Sequence, residues 1–391
     1  MLVKKPLESL ARYSASKTQL CGVPVLVVGG AVRDSLLGKA PHEYDFAFAA
    51  DEETFLQRNP QARKVGKSVS VILLKGQEYM PITQGIEADL RRRDLTVNAL
   101  AVDAGGTLFA HPDALADLEA HVFRPASPES FRQDPVRVFR LARLCCEWPE
   151  FQLHPEAIAQ MRDVAGQGLL KTVLPERVCK ELMKALAAPK PSRWLETLRE
   201  GNCLIPWFSE LERALTIPAG PAPFHSESVY QHLVEIMDRM SGDPIGVWMA
   251  LCHDIGKIVS PSEMLPHHYG HEHAGAGIAV ELAERLDMPT HFRKAGELAA
   301  ELHMKAGIYP TLRNGTRCDL LMAVHRTGLD TPFWKLVEAD GNRPLMAEAM
   351  HDLDVILHIS LPDRWKDKGM ESGARLRELR CQALRKHKVK L

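Results

Sequence analysis

The sequence predicts an α+β protein: a mixed-sheet N-terminal domain followed by all-helical regions. Three observations carry this. Short apolar runs separated by turn residues occupy the first 125 positions, and patterns of helical period fill the rest. The change falls near Asp134-Pro135, where Asp can cap a helix and Pro can open it. At 391 residues the chain is also too long for one ordinary core. The divisions expected are 1–125, 126–217, 224–345 and 346–391.

Val23 to Val28 reads as a buried strand that runs into Gly29-Gly30, with a short helix over 31–37. Tyr44 to Ala50 is a second strand, and Ser68 to Leu74 a third, because Val69, Val71 and Leu73 alternate. Leu108-Phe109 and the region from Asp113 to Leu118 close the mixed segment. Helices follow at 134–147, 155–164, 175–187 and 191–200, the third opened by Pro175. Pro218-Ala219-Gly220-Pro221-Ala222-Pro223 reads as a linker, since proline blocks helix continuation and glycine relaxes the chain. Further helices are expected at 227–240, 244–254, 271–286, 291–303, 317–326 and 343–357, with a basic amphipathic one at 371–388.

Forty-nine basic and 50 acidic side chains leave a formal charge of -1. Any contact with a polyanion must therefore come from local patches, which excludes an indiscriminate polyanion binder. The eight cysteines are scattered without a CxxC pair, so reduced, buried thiols are expected rather than zinc–sulfur sites or thiol exchange. The segment MLVKKPLESLARYSASK has no apolar signal core, and no run reaches membrane-spanning length. A soluble, cytoplasmic protein without a membrane partner is expected.

Chemistry concentrates first at VLVVGGAVRDSLLGKAPHEYD, residues 25–45. Gly29 and Gly30 let backbone approach a phosphate chain closely, because no Cβ intervenes. Glu43 and Asp45 stand two apart on an expected strand, so both carboxylates share a face and can hold one divalent ion. Such a pair suits metal-assisted phosphoryl transfer. Arg91-Arg92-Arg93-Asp94 adds guanidinium groups that bind phosphates, with Asp94 orienting one or capping a helix. Asp134 and Arg137, three apart after Gln133, can present acceptor and donor edges to one cleft.

A second concentration comprises His232, His253-Asp254 and the distant Asp340. His253-Asp254 ends the apolar run from Val247 to Cys252, and Gly256-Lys257 supplies a tight turn beside it. His267, His268, His271, His273 and His303 enrich the neighbourhood, with His268 and His273 expected at the surface. Imidazoles with carboxylates suit a transition metal that activates water against phosphorus.

GGAVRD at 29–34 with the acidic pair, RRD at 92–94 followed by LTVNALA, and QDPVR at 133–137 together resemble the bacterial CCA-adding tRNA nucleotidyltransferases, relatives of bacterial poly(A) polymerases. The resemblance covers nearly the whole chain. It implies a nucleotidyltransferase head over 1–125 and a helical nucleotide-recognition and RNA-binding region over 126–217. It implies Gly29, Gly30, Arg33 and Asp34 at the triphosphate and Mg2+ on Glu43 and Asp45. Arg92, Arg93 and Asp94 would contact the incoming nucleotide, while Asp134 and Arg137 would read CTP and ATP. The tRNA 3′ end would be the acceptor, with Arg177, Lys180, Lys184, Lys190 and Arg193 following its backbone. HHYGHEHAG, from His267, resembles the HD phosphohydrolase segment of the gamma-proteobacterial type, associated with 2′,3′-cyclic phosphodiesterase, nucleotidase and phosphatase activities. That places Ni2+, Mn2+, Co2+ or Zn2+ on His232, His253, Asp254 and Asp340 within 224–345. His271, His303 and Lys257 would be accessory, as further ligands or phosphate binders, and 346–391 a helical tail. The assembly would be a monomer or a homodimer.

Three departures from the family pattern stand out. The first acid is Glu43 rather than Asp, and Gln133 replaces a Glu. MPITQGIEADLR fills the interval after Glu78-Tyr79, so the family's Arg/Glu pair and most of its flexible loop are missing. A shortened loop resembles enzymes that add only two cytidines. Three readings follow: CCA addition with HD hydrolysis, an HD hydrolase with a degenerate RNA-binding transferase domain, and a CC- or poly(A)-adding transferase.

Overall fold

The computed structural model describes residues 5–65, 71–222, 226–341 and 343–386. The chain divides into two compact units. One comprises 1–141, 148–172 and 200–203; the other comprises 142–147, 173–199 and 204–391.

The first unit is built on a seven-stranded mixed sheet: β1 (Val25–Val28), β2 (Asp45–Phe48), β3 (Arg63–Val65), β4 (Val71–Leu74), β5 (Gln77–Pro81), β6 (Leu100–Val102) and β7 (Leu108–Ala110). Their order is β3-β4-β5-β2-β1-β6-β7, and only β2 with β5 is parallel. All of β1 is buried, as its unbroken apolar sequence requires. β2 alternates: Phe46 and Phe48 pack with Tyr79 and Phe55, while Ala47 joins Leu26, Val28, Ala99 and Ala101 in the cluster on the other face. The helix Lys5–Cys21 lies against β1.

The short strands β3, β5 and β6 and the helix Glu52–Arg58 have no counterpart among the expected elements. Strands of three to five residues and a helix of seven are too short for a periodicity that registers. The strand expected over 44–50 is confined to 45–48. Of the strand expected over 68–74, residues 71–74 are extended and 68–70 lie outside the described residues.

The second unit is helical. Helix Pro244–Cys252 is its centre, with every residue from Gly246 to Cys252 buried. Helices Val229–Arg239, Thr290–Gly307 and Asp330–Gly341 pack around it. Burying one large apolar side chain contributes roughly 1.5–3 kcal/mol, and Trp248, Met249 and Leu251 are fully enclosed. Starts follow the capping rules. Ser228 and Gln231 form a reciprocal capping box, and Asp243 caps Gly246 with Pro244 in the first turn.

Two expectations are corrected here. The segment from Pro218 is packed rather than slack: Ala219 is buried, its N–H donates to Glu227 O (2.9 Å), and its carbonyl accepts from Lys257 Nζ (2.8 Å). Pro223 lies outside the described residues. Residues after 346 are not a separate tail either. Asp352 accepts from Tyr309 Oη (2.8 Å) and Arg317 (3.1 Å), and Arg377 pairs with Asp319 (2.6 Å).

Gly256 sets how closely the His253-Asp254 turn meets helix His271–Arg285. A Cβ there would stand 2.0 Å from the His271 carbonyl oxygen and 2.5 Å from the Gly275 nitrogen. Gly256→Ala is expected to destabilise the protein by about 1–3 kcal/mol or more, read as a lower urea midpoint.

Candidate active sites

In the first unit Asp45 opens β2 opposite Val28, immediately before Gly29. Gly29 adopts φ 75° and ψ -136°, a conformation that favours glycine. A Cβ at Gly29 would lie 3.2 Å from Arg93 Nη1 and 3.9 Å from Asp45 Oδ2, so the three converge on one spot. Glu43 precedes the strand instead of lying on it, because β2 begins at Asp45. The shared-face argument therefore covers Asp45 alone, although Glu43 is near enough to influence its charge.

Asp45 is open to solvent, yet its surroundings hold its pKa above the ordinary carboxylate value. Partial desolvation is the largest cause and the Glu78 carboxylate the next; Arg93 and Arg140 oppose them, and Glu43 adds to the rise. Glu78 precedes Tyr79, the β5 partner of Phe46, and so stands next to Asp45 across the parallel pair. The Glu78 and Glu43 carboxylates both disfavour the Asp45 charge, a repulsion that a divalent cation at Asp45 would relieve.

The other expected nucleotide contacts divide. Arg93 is largely buried and pairs with Asp89 (3.0 Å), while Arg92 is half exposed and pairs with the same acid (3.3 Å). Gly30 begins the helix Gly30–Leu36. Arg33 turns inward, donating to Asp34 Oδ1 (2.9 and 2.7 Å) and Asn98 Oδ1 (2.7 Å), with its guanidinium 5.3 Å from the centre of Trp148. Asp94 is buried as well. It accepts from Leu95 N (2.9 Å), Asn98 Nδ2 (3.1 Å) and Arg140 Nε (2.8 Å). Burial pushes the Asp94 pKa up, but Arg140 and these hydrogen bonds outweigh it and hold the group well below the usual range. Arg137 donates to the carbonyls of Arg92 (2.6 Å), Arg93 (3.3 Å) and Ser130 (3.1 Å). Arg33, Asp94 and Arg137 thus bond inward, to Asn98, to Arg140 and to the Arg92 and Arg93 carbonyls. Asp134 stays partly exposed just before helix Val136–Glu147, and Gln133 is exposed.

Arg140 and Glu78 escaped the sequence reading. Arg140 lies one turn beyond Arg137 on the same helix, at a spacing that could have flagged it. Glu78 needed the β2–β5 register.

In the second unit the expected residues meet in one buried centre. His232 comes from helix Val229–Arg239, His253-Asp254 from the end of Pro244–Cys252, and Lys257 from the turn after it. His271 begins helix His271–Arg285, His303 lies in Thr290–Gly307, and Asp340 in Asp330–Gly341. His232 Nε2 is 3.0 Å from Asp340 Oδ1 and 3.2 Å from His253 Nε2; His253 Nε2 is 3.6 Å from Asp340 Oδ1. Asp254 Oδ2 is 3.5 Å from each of those Nε2 atoms and 2.6 Å from Lys257 Nζ. Its Oδ1 faces His271 Nε2 (3.2 Å) and His303 Nε2 (3.3 Å).

Second contacts fix the rings. His253, His271 and His303 place Nδ1 against the carbonyls of Ala250 (2.7 Å), His268 (2.6 Å) and Ala299 (2.9 Å). A carbonyl only accepts, so each Nδ1 donates, and a ring in its neutral form turns a lone pair inward from Nε2. That is the donor set of a transition-metal site, and Asp254 and Asp340 complete it. Burial would push Asp254 up, but Lys257 and then His253 outweigh it and hold the carboxyl well below its ordinary value. Asp340 is also held low, by His232 and His253 against burial. His268 is a strut instead of a surface residue, bonded to Ser260 Oγ and the Pro218 carbonyl (both 2.8 Å). His273 is exposed and pairs with Glu301 (3.0 Å).

Residues 25–79 match the family described as "Poly A polymerase head domain", 150–215 "Probable RNA and SrmB- binding site of polymerase A", and 224–358 "HD domain". A multifunctional CCA protein of Azoarcus sp. (strain BH72) is 34% identical over 335 residues, covering 78% of this chain and 80% of that one. The chain belongs to the multifunctional CCA protein family. A second member, from Aromatoleum aromaticum, is 35% identical over 359 residues, covering 83% and 86%. This family membership makes the chain a nucleotidyltransferase, and the HD match assigns the histidine centre to that domain type. Among solved structures, the Thermotoga maritima CCA-adding enzyme complexed with tRNA-CCA shares the fold, with TM-score 0.68 and 17% identity over 100% of this chain and 96% of that one. A CCA-adding enzyme with CTP gives 0.63 at 16% identity, covering 98% and 94%.

Arg140→Ala leaves the buried Asp94 anion without its cation. The expected cost is about 1–3 kcal/mol in urea unfolding at neutral pH. The cost fades as the solution is acidified below the ordinary carboxylate range, because a depressed carboxyl contributes its stability only while it is ionised. For Asp45 the sign reverses, since its ionised form is disfavoured. Asp45→Asn is expected to raise the melting temperature of the metal-free protein at neutral pH. Glu78→Gln is expected to lower the Asp45 titration, followed by NMR.

Proposed function

We propose that the chain adds the 3′-terminal CCA to tRNA without a nucleic-acid template, using CTP and ATP. We further propose that its HD centre hydrolyses phosphoric esters, including 2′,3′-cyclic phosphodiesters. The observation that carries the first activity is the convergence of Asp45, Gly29 and Arg93 in a member of this family. The terminal hydroxyl oxygen of tRNA attacks the α-phosphorus of the nucleotide, a phosphodiester forms, and pyrophosphate departs. Glu43 and Asp45 would hold magnesium, which would neutralise charge on the triphosphate and the attacking oxygen. Gly29 and Gly30 admit the phosphates without a Cβ, and Arg93 balances their charge from beside Gly29. Asp94 and Arg137 hold the Arg92-Arg93 turn rigid from below. Asp134 and Arg140 would present acceptor and donor edges to the base. Work on tRNA assigns the chain to the cytoplasm.

The divisions 1–125, 126–217 and 224–345 are kept as functional regions, with 346–391 a helical tail packed on the last of them. Arg177, Lys180 and Lys184 form a solvent-facing basic row on helix Pro175–Leu186, and Lys190 and Arg193 follow it, a surface that suits a phosphate backbone. At the HD centre His232, His253, Asp254 and Asp340 would hold a transition metal such as Ni2+, Mn2+, Co2+ or Zn2+. The metal would supply an activated water for attack on phosphorus. Lys257 balances the charge of Asp254 there.

One observation favours a second reading. Only residues 82–85 connect β5 to helix Ile86–Arg91, leaving little chain for a loop that repositions between C and A addition. The reading is an enzyme that stops at CC. Purified protein with tail-less tRNA, CTP, ATP and Mg2+ decides. Three added nucleotides support CCA addition, arrest at two supports CC addition, and no extension overturns both. Asp45→Asn is expected to reduce addition at least 100-fold while leaving hydrolysis of a 2′,3′-cyclic nucleotide within twofold.

A further inference from the structure

We propose that Tyr13 is a positioning residue for nucleotide addition: it pins Tyr44, the residue between Glu43 and Asp45, and ties it to the start of β5. The inference rests on the transferase reading above and deepens it, because it names what sets the direction of the acids.

Three observations carry it. First, strand pairing reaches only as far as Asp45. β2 runs from Asp45 to Phe48, with Asp45 opposite Val28, so Glu43 and Tyr44 precede the paired residues. The Tyr44 ring lies 4.6 Å from the Tyr13 ring at 56°, and Phe46 lies 5.6 Å from the same ring at 45°. Both rings that flank Asp45 in sequence therefore meet Tyr13. Strand alternation turns the Asp45 side chain to the opposite face, with Ala47. Tyr13 grips the backbone from behind the acids.

Second, Tyr13 spans two strands. Its Oη accepts from Gln77 Nε2 (3.1 Å), and Gln77 opens β5 one residue before Glu78. β5 is the parallel partner of β2. The ring of one phenol thus holds the approach to Asp45, and its hydroxyl holds the approach to Glu78. A slip of either strand breaks one of these contacts.

Third, Tyr13 is itself held. The Lys17 ammonium, one turn on, lies 5.0 Å from the centre of the Tyr13 ring and 5.4 Å from that of Phe46, and it donates to Gln77 Oε1. The Ser14 hydroxyl donates to the Val25 carbonyl, and Val25 N donates to Thr18 Oγ1 (2.9 Å), which fastens the helix Lys5–Cys21 to β1. Tyr13, Lys17, Tyr44 and Gln77 are all half-buried, so they stand at the rim of the sheet and not in its core. Magnesium demands near-ideal ligand geometry, and a misplacement of an ångström can cost about 100-fold in rate.

The test uses the full chain grown with 3-fluorotyrosine. Its six tyrosines give few resonances, and Tyr44→Phe assigns the one that matters. Mn2+ is added, and broadening of the Tyr44 fluorine signal is followed. Asp45→Asn is expected to remove that broadening, which identifies the transferase acids as its source. Tyr13→Ala is expected to raise the Mn2+ concentration for half-broadening about tenfold, whereas Tyr13→Phe, which keeps the ring, stays within about twofold. Ser14→Ala loosens the same helix without touching Tyr44, so it is expected to lower the urea midpoint and leave the Mn2+ titration unchanged. In the tail-addition assay Tyr13→Ala is expected to lose about tenfold at low Mg2+ and to recover at high Mg2+, with the KM for CTP within about twofold. An unchanged Mn2+ titration in Tyr13→Ala overturns the positioning role and leaves the transferase reading standing. Broadening that survives Asp45→Asn overturns the metal at these acids, and the positioning role with it. Should Tyr13→Ala not fold, Tyr13→Leu, which keeps apolar volume without a ring, is read in its place.

Discussion

Asp254 is the constraint around which the second unit is organised. Its carboxylate is almost wholly buried and held ionised by the Lys257 ammonium, and its two oxygens face four imidazoles delivered by four segments of chain. A buried anion of this kind is tolerated only when it is paired, so the positions of these elements are coupled through one side chain. The close approach at Gly256 and the strap through Ala219, which accepts from Lys257, keep that pairing in place.

The first unit uses the same device with a different outcome. Asp94 is buried and ionised through Arg140, and with Arg137 and Arg33 it fixes the turn that carries Arg93. Asp45 is treated in the opposite way. It is open to solvent, crowded by Glu78 and Glu43, and its charge is disfavoured until a cation arrives. Ionised braces inside and a destabilised carboxylate at the surface are what a metal-dependent transferase requires.

Much of both sites was legible in the sequence because it is local. Gly29-Gly30 after an apolar strand and His253-Asp254 after an apolar helix are read directly, and the fold sets Gly29 beside Asp45 and His253 beside His232. Residues whose role depends on distant partners were not. Arg33 and Arg137 carry the right charge for phosphate, and only the fold shows that they, with Asp94, bond inward. Glu78 needed the parallel pairing of β5 with β2, a strand too short to recognise. The strap from Pro218 looked like a linker because proline and glycine report backbone freedom, whereas packing against Lys257 and His268 removes it. Asp340 was placed by resemblance, and a sequence separation of 108 from His232 closes to a 3.0 Å contact.

Anomalous diffraction from crystals grown with Mn2+ tests the central claim most directly, because it shows where cations gather around Asp254. The account predicts anomalous density within bonding distance of His232, His253, Asp254 and Asp340. Asp254 bonded only to Lys257, with no anomalous density beside it at saturating Mn2+, would contradict it.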